Sequence, residues 1–204
     1  MARDTQSIVK MSRREGYALH PKAHKALVKR STVPGEQGRN QRNKPSQYAL
    51  QLREKQKVKR LYGLLERQFA KLMAEASRKQ GQSGALLLQF LEQRADNAVY
   101  RAGFAPSRRA ARQLMTHGHF MLNGRRVDIP SIRLKAGDVL TLRDHSKNNE
   151  YFKKIDEVSP APSDTPSWLK VNRKKFEVTV TGVPTREEAE PDINEQLIVE
   201  YYSR

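Results

Sequence analysis

Three arginines on a short predicted helix, Arg108, Arg109 and Arg112, are the residues whose type and spacing point most directly to chemistry. At about 100° per residue of an α-helix, their side chains fall within about 100° of one another. Alanines and Leu114 occupy the opposite side, so the helix can bury that side against a core. Guanidinium groups bind phosphates through paired, charge-assisted hydrogen bonds. The helix therefore predicts a surface for nucleic-acid phosphates and offers no group for catalysis.

The residues around this helix predict a compact module of two helices and a small antiparallel sheet. A preceding apolar helix reaches about Arg101, and Ser107 can cap the arginine helix. A short apolar strand then meets Asn123-Gly124, the dipeptide most typical of a two-residue hairpin turn. Residues 125–127 form the return strand and residues 139–142 a further one.

Composition indicates a polyanionic partner. The chain of 204 residues has a formal net charge of +17, and residues 1–60 hold 16 Lys and Arg against 4 Asp and Glu. No apolar run approaches the ~20 residues needed to span a bilayer, and the first residues are polar, unlike a secretory signal. The chain has no cysteine, which excludes disulfides and thiolate metal sites. We therefore expect a soluble, cytoplasmic protein without a membrane partner.

Residues 1–45 are basic, poor in apolar residues and interrupted by proline and glycine. Such a segment buries too little surface to order itself, so we expect an extended arm that folds on its partner. The alternative is a disordered tail that binds nothing in particular. The regular supply of cations favours the binding arm.

A helical pattern begins at Ser46 and continues to about Arg78. Apolar residues occupy one side, and a nearly pure basic stripe that includes Arg53, Lys57 and Arg60 occupies the other. The basic residues share one side only if the helix is continuous through Gly63. The alternative is an ordinary solvated charged face, but the basic arm before it favours contact with RNA.

The C-terminal third is less regular. Residues 146–158 resemble a short charged helix, residues 159–176 a proline-rich connector and residues 176–180 a strand. Asp192 with Glu195 resembles a capping box, yet the residues that follow suit a strand equally well. From Glu177 onward the chain has seven acids and only two arginines, so we expect residues 186–204 to face away from RNA.

Residues that suggest metal binding or catalysis have simpler explanations. His20 and His24 have the spacing of two zinc ligands, but no cysteine or carboxylate completes a set nearby. Asp96 is flanked by Arg94 and Arg101 and is better placed to order those side chains than to act as an acid. No phosphate-binding glycine loop or nucleophile elbow is visible, so we predict neither a cofactor nor a metal.

Several motifs together resemble the ribosomal protein S4 family. RADNAVYRAGF, HGHFMLNGRRVDIPS and GDVLTLR are similar to the S4-type RNA-binding module, which also occurs in RNA-modifying enzymes and transfer-RNA synthetases. QLREKQKVKRLYGLLERQF, PSWL and DINEQLIVEYYSR extend the resemblance over essentially the whole chain. Many members hold zinc with cysteines in the N-terminal arm, and this chain has none.

The resemblance implies an α+β fold in which the RNA-binding module is inserted into a mainly helical domain. The expected divisions are a basic arm at 1–45, a helical domain at 46–91 with 177–204, the module at 92–158 and a connector at 159–176. The implied function is structural. The protein would bind the junction in the 5′ domain of 16S ribosomal RNA early in assembly. It would also lie near the messenger RNA entry channel beside the fifth small-subunit protein and influence decoding accuracy.

An RNA-modifying enzyme of the pseudouridine synthase type is the main alternative. Such an enzyme needs a separate catalytic domain of on the order of 150–200 residues. Only 62 residues follow Leu142, and they are polar and interrupted by prolines, so the structural function is favoured. A binding module from a regulatory protein or a synthetase is disfavoured by the family-specific runs at both ends.

The candidate site residues fall into two groups. The predicted RNA contacts are Arg3, Lys10, Arg13, Arg14, Arg39, Arg42, Lys44, Arg53, Lys57, Arg60, Arg67, Lys71, Arg94, Asn97, Arg101, Arg108, Arg109, Arg112, Asn123 and Arg125. The predicted contacts with a protein neighbour are Glu188, Glu195 and Glu200.

Overall fold

The computed structural model describes residues 4–35, 44–162 and 164–203. They form two compact units. The helical unit comprises the chain up to Leu87 together with the segment from Asp192, and the sheet unit is Leu88–Pro191. Helices in one unit and an antiparallel sheet in the other confirm the predicted α+β class.

The described elements follow one another in this order. The helices are α1 (Ile8–Glu15), α2 (Pro21–Lys29), α3 (Gln47–Leu61), α4 (Glu66–Arg78), α5 (Ser83–Glu92), α6 (Ala95–Arg101), α7 (Arg108–Thr116), α8 (Asp144–Lys147), α9 (Glu150–Lys153), α10 (Ile155–Val158) and α11 (Glu195–Tyr202). The strands are β1 (Phe120–Leu122), β2 (Arg125–Val127), β3 (Val139–Leu142), β4 (Leu169–Asn172) and β5 (Glu177–Val180).

The N-terminal region differs from the extended arm expected from the sequence, because α1 and α2 lie within it. Met11 and Ala23 are buried, and His20 Nδ1 accepts a hydrogen bond from the backbone N–H of Lys22 at 3.0 Å, which caps α2. The Glu15 carboxylate is buried against Arg53 and Arg60 of α3, and burial raises its pKa despite these two cations. Tertiary contacts thus order a segment whose own sequence carries a weak helical signal.

The expected long helix is divided at Gly63, which adopts a φ of 65° and lets the chain turn between α3 and α4. The basic residues predicted to share one stripe therefore lie on two helices. At the other end of the chain, residues 195–202 are helical, which decides between the helix and the strand that the sequence left open. Asn194, and not Asp192, caps α11 by accepting from the Gln196 N–H at 3.2 Å.

The five described strands form one antiparallel sheet in the order β2-β1-β3-β5-β4. Asn123 and Gly124 join β1 to β2 with φ values of 49° and 79°, as the sequence predicts for a type I′ hairpin. Strand β5 pairs with β3, so residues 177–180 lie in the sheet unit and not in the helical unit where they were expected. Strand β4, inside the expected connector, completes the sheet.

The segment that follows β3 folds onto the turn between α6 and α7. It contains the one-turn helices α8, α9 and α10 where one helix was expected. The backbone carbonyl of Gly103 accepts hydrogen bonds from Ser159 Oγ at 2.9 Å and from Arg173 Nη1 at 2.8 Å. Phe120 and Trp168 lie in the apolar core beneath, with Val178 of β5. The turn that starts α7 is therefore fixed from both sides.

Candidate nucleic-acid interface

Four arginines of α6, α7 and the residue before α6 meet carboxylates of the same unit. We call these residues the paired-arginine network: Glu92, Arg94, Asp96, Asn97, Arg101, Arg108, Arg112 and Glu190. The sequence predicted the arginines and Asn97 as RNA contacts, and Asp96 as an ordering group. It did not predict Glu92 or Glu190.

Glu92 is the centre of one half of the network. Its side chain is fully buried and accepts from both Nε and Nη2 of Arg101, at 3.1 and 2.9 Å. Asn97 Nδ2 donates to the same carboxylate at 2.7 Å. Burial of a carboxylate is costly unless it is paired and hydrogen-bonded, and here a cation and an amide both bind it.

Arg108, the first residue of α7, closes this half of the network. Its Nη2 lies 2.7 Å from Glu190 Oε1, and its Nε donates to Asn97 Oδ1 at 2.9 Å. Arg101 Nη2 lies 3.5 Å from the same Glu190 oxygen, and the Arg108 guanidinium lies over the Tyr100 ring at 4.6 Å. Arg108 therefore ties α7 to α6 and to the segment after β5.

Asp96 organises the other half. Arg94 Nε and Nη2 donate to its two oxygens at 3.0 and 2.7 Å, and both side chains are buried. Arg112 Nη1 lies 3.7 Å away, and burial lowers the pKa of Arg112 while Asp96 opposes that shift. Asp96 thus orders Arg94 as predicted, whereas Arg101 turns to Glu92 instead. Arg94 and Asn97 are both buried in these internal contacts, and the RNA contact predicted for them stays a prediction.

The remaining predicted residues of this unit are exposed. Arg109 lies on the outer side of α7, and Asn123 and Arg125 lie at the hairpin. Asn123 also has an internal role: its amide donates to Asp138 and accepts from the Val139 N–H, both at 2.9 Å. It therefore holds the hairpin turn against the start of β3.

In the helical unit, some of the residues predicted to contact RNA have partners within the chain, and others are exposed. Arg53 and Arg60 face Glu15, Lys57 Nζ donates to the Asp192 carbonyl at 2.6 Å, and Arg13 Nε donates to the Thr32 carbonyl at 3.1 Å. The exposed ones are Lys10, Arg14, Lys44, Arg67 and Lys71. Arg3, Arg39 and Arg42 lie outside the described residues.

Lys55 and Lys59 of α3, which the sequence analysis did not select, serve the packing of the helical unit. Both donate to the carboxylate of Glu66, at 2.7 and 3.0 Å, and the Tyr202 hydroxyl donates to it at 2.9 Å. Although burial opposes ionisation, these three hydrogen bonds lower the pKa of Glu66 to about 2. They join α3, α4 and α11 around one charge.

The three acids predicted to contact a protein also have internal partners. Glu188 accepts from Ser167 and Thr185, and these hydrogen bonds lower its pKa against the opposing effect of burial. Glu200 accepts from Gln51 Nε2 at 2.8 Å. Glu195 packs on α5, where a Cβ at Gly84 would come within 2.7 Å of Glu195 Cγ.

The described residues also bear on two other kinds of site, a membrane span and a metal centre. None of the described helices is long and apolar enough to cross a membrane. Within the same ranges, no group of three or more His, Cys, Asp or Glu side chains could hold a metal ion. His20 serves as a helix cap instead.

Two family models and many full-length relatives match the chain. Residues 3–92 match the model of the ribosomal protein S4/S9 N-terminal domain, and residues 93–140 match that of the S4 domain. A small ribosomal subunit protein uS4 from Pelodictyon phaeoclathratiforme is 48% identical over 205 residues, covering all of both chains. Proteins from Symbiobacterium thermophilum, named uS4A, and Chloroflexus aurantiacus, named uS4, are 47% and 48% identical, again over their full lengths.

This chain belongs to the ribosomal protein S4 family. The S4 domain is an RNA-binding module, and the family consists of structural proteins and not of enzymes. The S4-domain match begins beside Arg94 and covers α6, α7 and the hairpin, so the paired-arginine network lies mostly within it.

Proposed function

We propose that this protein is a structural component of the small ribosomal subunit that binds 16S ribosomal RNA directly and early, and so nucleates assembly of the 5′ domain. Its place of action would be the cytoplasmic ribosome. The observation that carries this proposal is the full-length similarity, at 46–49% identity, to proteins named small ribosomal subunit protein uS4. The net charge of +17 agrees with an RNA partner.

The mechanism is the neutralisation of phosphates by a surface of fixed shape. Exposed lysines and arginines release condensed counterions from the RNA, which makes affinity fall steeply with salt. We propose direct contacts for Lys10, Arg14, Lys44, Arg67, Lys71, Arg109 and Arg125. Arg3, Arg39 and Arg42 are proposed on charge alone. The paired-arginine network would fix α6 and α7, so that a folded RNA junction meets a rigid surface.

Other partners are proposed on the family resemblance. These are the fifth small-subunit protein and messenger RNA near its entry channel, with an influence on decoding accuracy. The excess of acids after Glu177 supports a basic protein neighbour at this end of the chain. Glu188, Glu195 and Glu200 are the proposed contacts, although the internal bonds of Glu188 and Glu200 mean that charge reversal there would also disturb the fold. Crosslinking within assembled subunits tests this contact.

The central test is binding of the purified protein to 16S ribosomal RNA and to the same RNA without its 5′ domain. We expect tight, salt-dependent binding to the first and loss of specific binding to the second. In stepwise reconstitution, omission of the protein should prevent later proteins from joining the 5′ domain. Equal affinity for both RNAs at physiological salt would contradict the proposed function.

A further inference from the structure

A second group of cations surrounds Gly118, at the end of α7 opposite to Arg108. We call His117, His119, Arg126 and Arg143 the Gly118 cluster. The Arg126 guanidinium covers the bare Cα of Gly118: a Cβ there would lie 2.8 Å from Arg126 Nε and 3.0 Å from Nη2. Arg143 Nη1 donates to the Gly118 carbonyl at 3.2 Å. Two guanidinium groups, one from β2 and one from the residue that follows β3, thus converge on one peptide.

Glycine is required at the centre of this arrangement. Gly118 has a φ of 68°, a conformation that side-chain-bearing residues rarely adopt, and the space beside it is taken by Arg126. The histidines on either side place their ring centroids 6.0 Å apart. His119 is held by a 3.0 Å contact between its Nδ1 and Ser146 Oγ and by the edge of Phe152.

Within the described ranges, no carboxylate forms an ion pair with Arg126 or Arg143. Asp144, the neighbour of Arg143, points to Lys147, with Asp144 Oδ1 2.7 Å from Lys147 Nζ. Asp128, two residues after Arg126, makes no ion pair with it. Burial first, and then the nearby His117 and Arg143, lower the pKa of His119.

We propose that the Gly118 cluster is a phosphate-binding site, in which Arg126 and Arg143 hold one backbone phosphate of the bound RNA. The fork of a guanidinium group matches the oxygens of a phosphate, and two such forks converge on the Gly118 peptide. His117 and His119 flank the same position and add positive charge when protonated. The inference rests on the proposed function, since it assumes that RNA is the polyanion.

RNA is favoured over an acidic protein segment because the cluster belongs to the S4 domain and its border. His117, His119 and Arg126 fall within residues 93–140, and Arg143 follows directly after. Arg126 and His117 are exposed, so a phosphate can reach them without movement of the chain. No base-reading role is assigned, because the cluster presents charge and not a pattern that distinguishes bases.

The first test is the replacement of Arg126→Gln, alone and together with Arg143→Gln. The matched control is Lys174→Gln with Lys175→Gln, two exposed lysines of the turn between β4 and β5, which removes the same charge from the same unit. Binding to 16S ribosomal RNA is measured across salt concentrations. The slope of log affinity against log salt should fall by about 1 in the single and by about 2 in the double variant. Affinity should fall by roughly 10- to 100-fold in the double variant and change little in the control.

The outcomes separate the site from the function. If the wild-type protein fails to bind RNA, the proposed function fails and takes this site with it. If the wild-type protein binds RNA and Arg126→Gln has the same slope of log affinity against log salt as the lysine control, the site is overturned. The proposed function then still stands. Arg143 also bonds to Gly118, so the exposed Arg126 variant is the decisive one should the double variant unfold.

A second test uses the absence of cysteine in the chain. A single cysteine at Thr116, the exposed residue before His117, carries an iron chelate that generates hydroxyl radicals. A chelate at Lys174→Cys serves as the control. We expect strong cleavage of the RNA backbone from position 116 in the bound complex, at sites distinct from any produced by the control. A complex that binds normally but shows no cleavage from position 116 would overturn the site.

Discussion

At the N-terminal end of α7 the arginines meet carboxylates of their own chain, whereas at its C-terminal end they meet histidines and a bare glycine. Arg108 lies 2.7 Å from Glu190, while Arg126 covers Gly118 and forms no ion pair within the described residues. Both groups lie in the same unit and within one short helix of each other. The two groups differ in their anionic partner, because carboxylates of the chain pair with the arginines of the network and no carboxylate that the structure describes pairs with Arg126 or Arg143.

This contrast separates two uses of arginine that composition alone does not distinguish. A buried, paired arginine fixes one side chain and one backbone arrangement, and losing its partner leaves an uncompensated charge in the interior. An exposed arginine without a partner adds little to folding and remains available to a phosphate. The paired-arginine network should therefore control stability, and the Gly118 cluster should control affinity.

The largest expected effect follows from breaking the network at its most buried pair. Asp96→Asn removes the charge that accepts both hydrogen bonds from Arg94, and both side chains are buried. We expect the free energy of unfolding of the sheet unit to fall by about 3 kcal/mol, as for other buried pairs that lose one partner. Urea unfolding, with hydrogen exchange of the α6 amides, measures it.

The matched control for this prediction is Asp128→Asn, which neutralises an exposed acid of the same unit. It should change the free energy of unfolding by no more than about 0.5 kcal/mol, the usual range for surface substitutions. Equal stability of Asp96→Asn and Asp128→Asn would mean that the buried pair is replaceable by a neutral hydrogen bond. The comparison between the two ends of α7 would then lose its energetic basis.

The sequence was sufficient where structure depends on neighbouring residues. Asn123-Gly124 specifies its hairpin because both residues accept positive φ values, and Ser107 caps α7 by accepting from the Ala110 N–H. The helix α7 and the burial of its apolar side were also predicted, whereas the sequence did not show that Arg108 and Arg112 turn to carboxylates of the chain. These features need only short-range information.

The sequence was insufficient where partners are distant. Arg108 and Glu190 are 82 residues apart, so a helical projection could not show that the arginine turns back to a carboxylate. The ordering of α1 likewise depends on Glu15 meeting Arg53, 38 residues away. Glu92, a carboxylate at the end of the apolar run before Arg94, was a local sign of the network.

A smaller effect, on affinity for RNA, is expected when Glu190 loses its charge. In Glu190→Gln, Arg108 keeps Asn97 as an acceptor but loses its anion, so it becomes more like the arginines of the Gly118 cluster. Affinity for 16S ribosomal RNA should rise by about 3- to 10-fold at low salt, with a slope steeper by up to about 1.

The exposed neighbour Glu187 provides a variant with the same change in net charge, Glu187→Gln. It should have a clearly smaller effect, because no arginine of the network contacts it in the described structure. If both variants bind RNA equally, the gain reflects net charge alone, and the carboxylate of Glu190 does not restrain Arg108. Filter binding at several salt concentrations distinguishes these results.

The smallest expected effect is the pH dependence of stability that comes from protonation of His119, at the C-terminal end of α7. The pKa of His119 lies below its ordinary value of 6.5, because of burial and then of His117 and Arg143. Below about pH 6.5 the unfolded chain therefore binds more protons at this position than the folded chain does. Stability should fall slightly as pH decreases through this window, and level off below the folded pKa.

A bound phosphate should reverse the sign of this dependence. An anion beside His119 favours the charged ring, so its pKa in the complex exceeds that in the free protein, and RNA affinity should rise as pH falls from about 7.5 to 5.5. His119→Gln should flatten this rise, while His145→Gln, at an exposed position, should retain it. Because His119→Gln also loses the Phe152 contact, the slopes against pH are compared and not the absolute affinities. A rise in affinity that is identical in wild type and His119→Gln would place the responsible proton elsewhere and weaken the assignment of the phosphate to this end of α7.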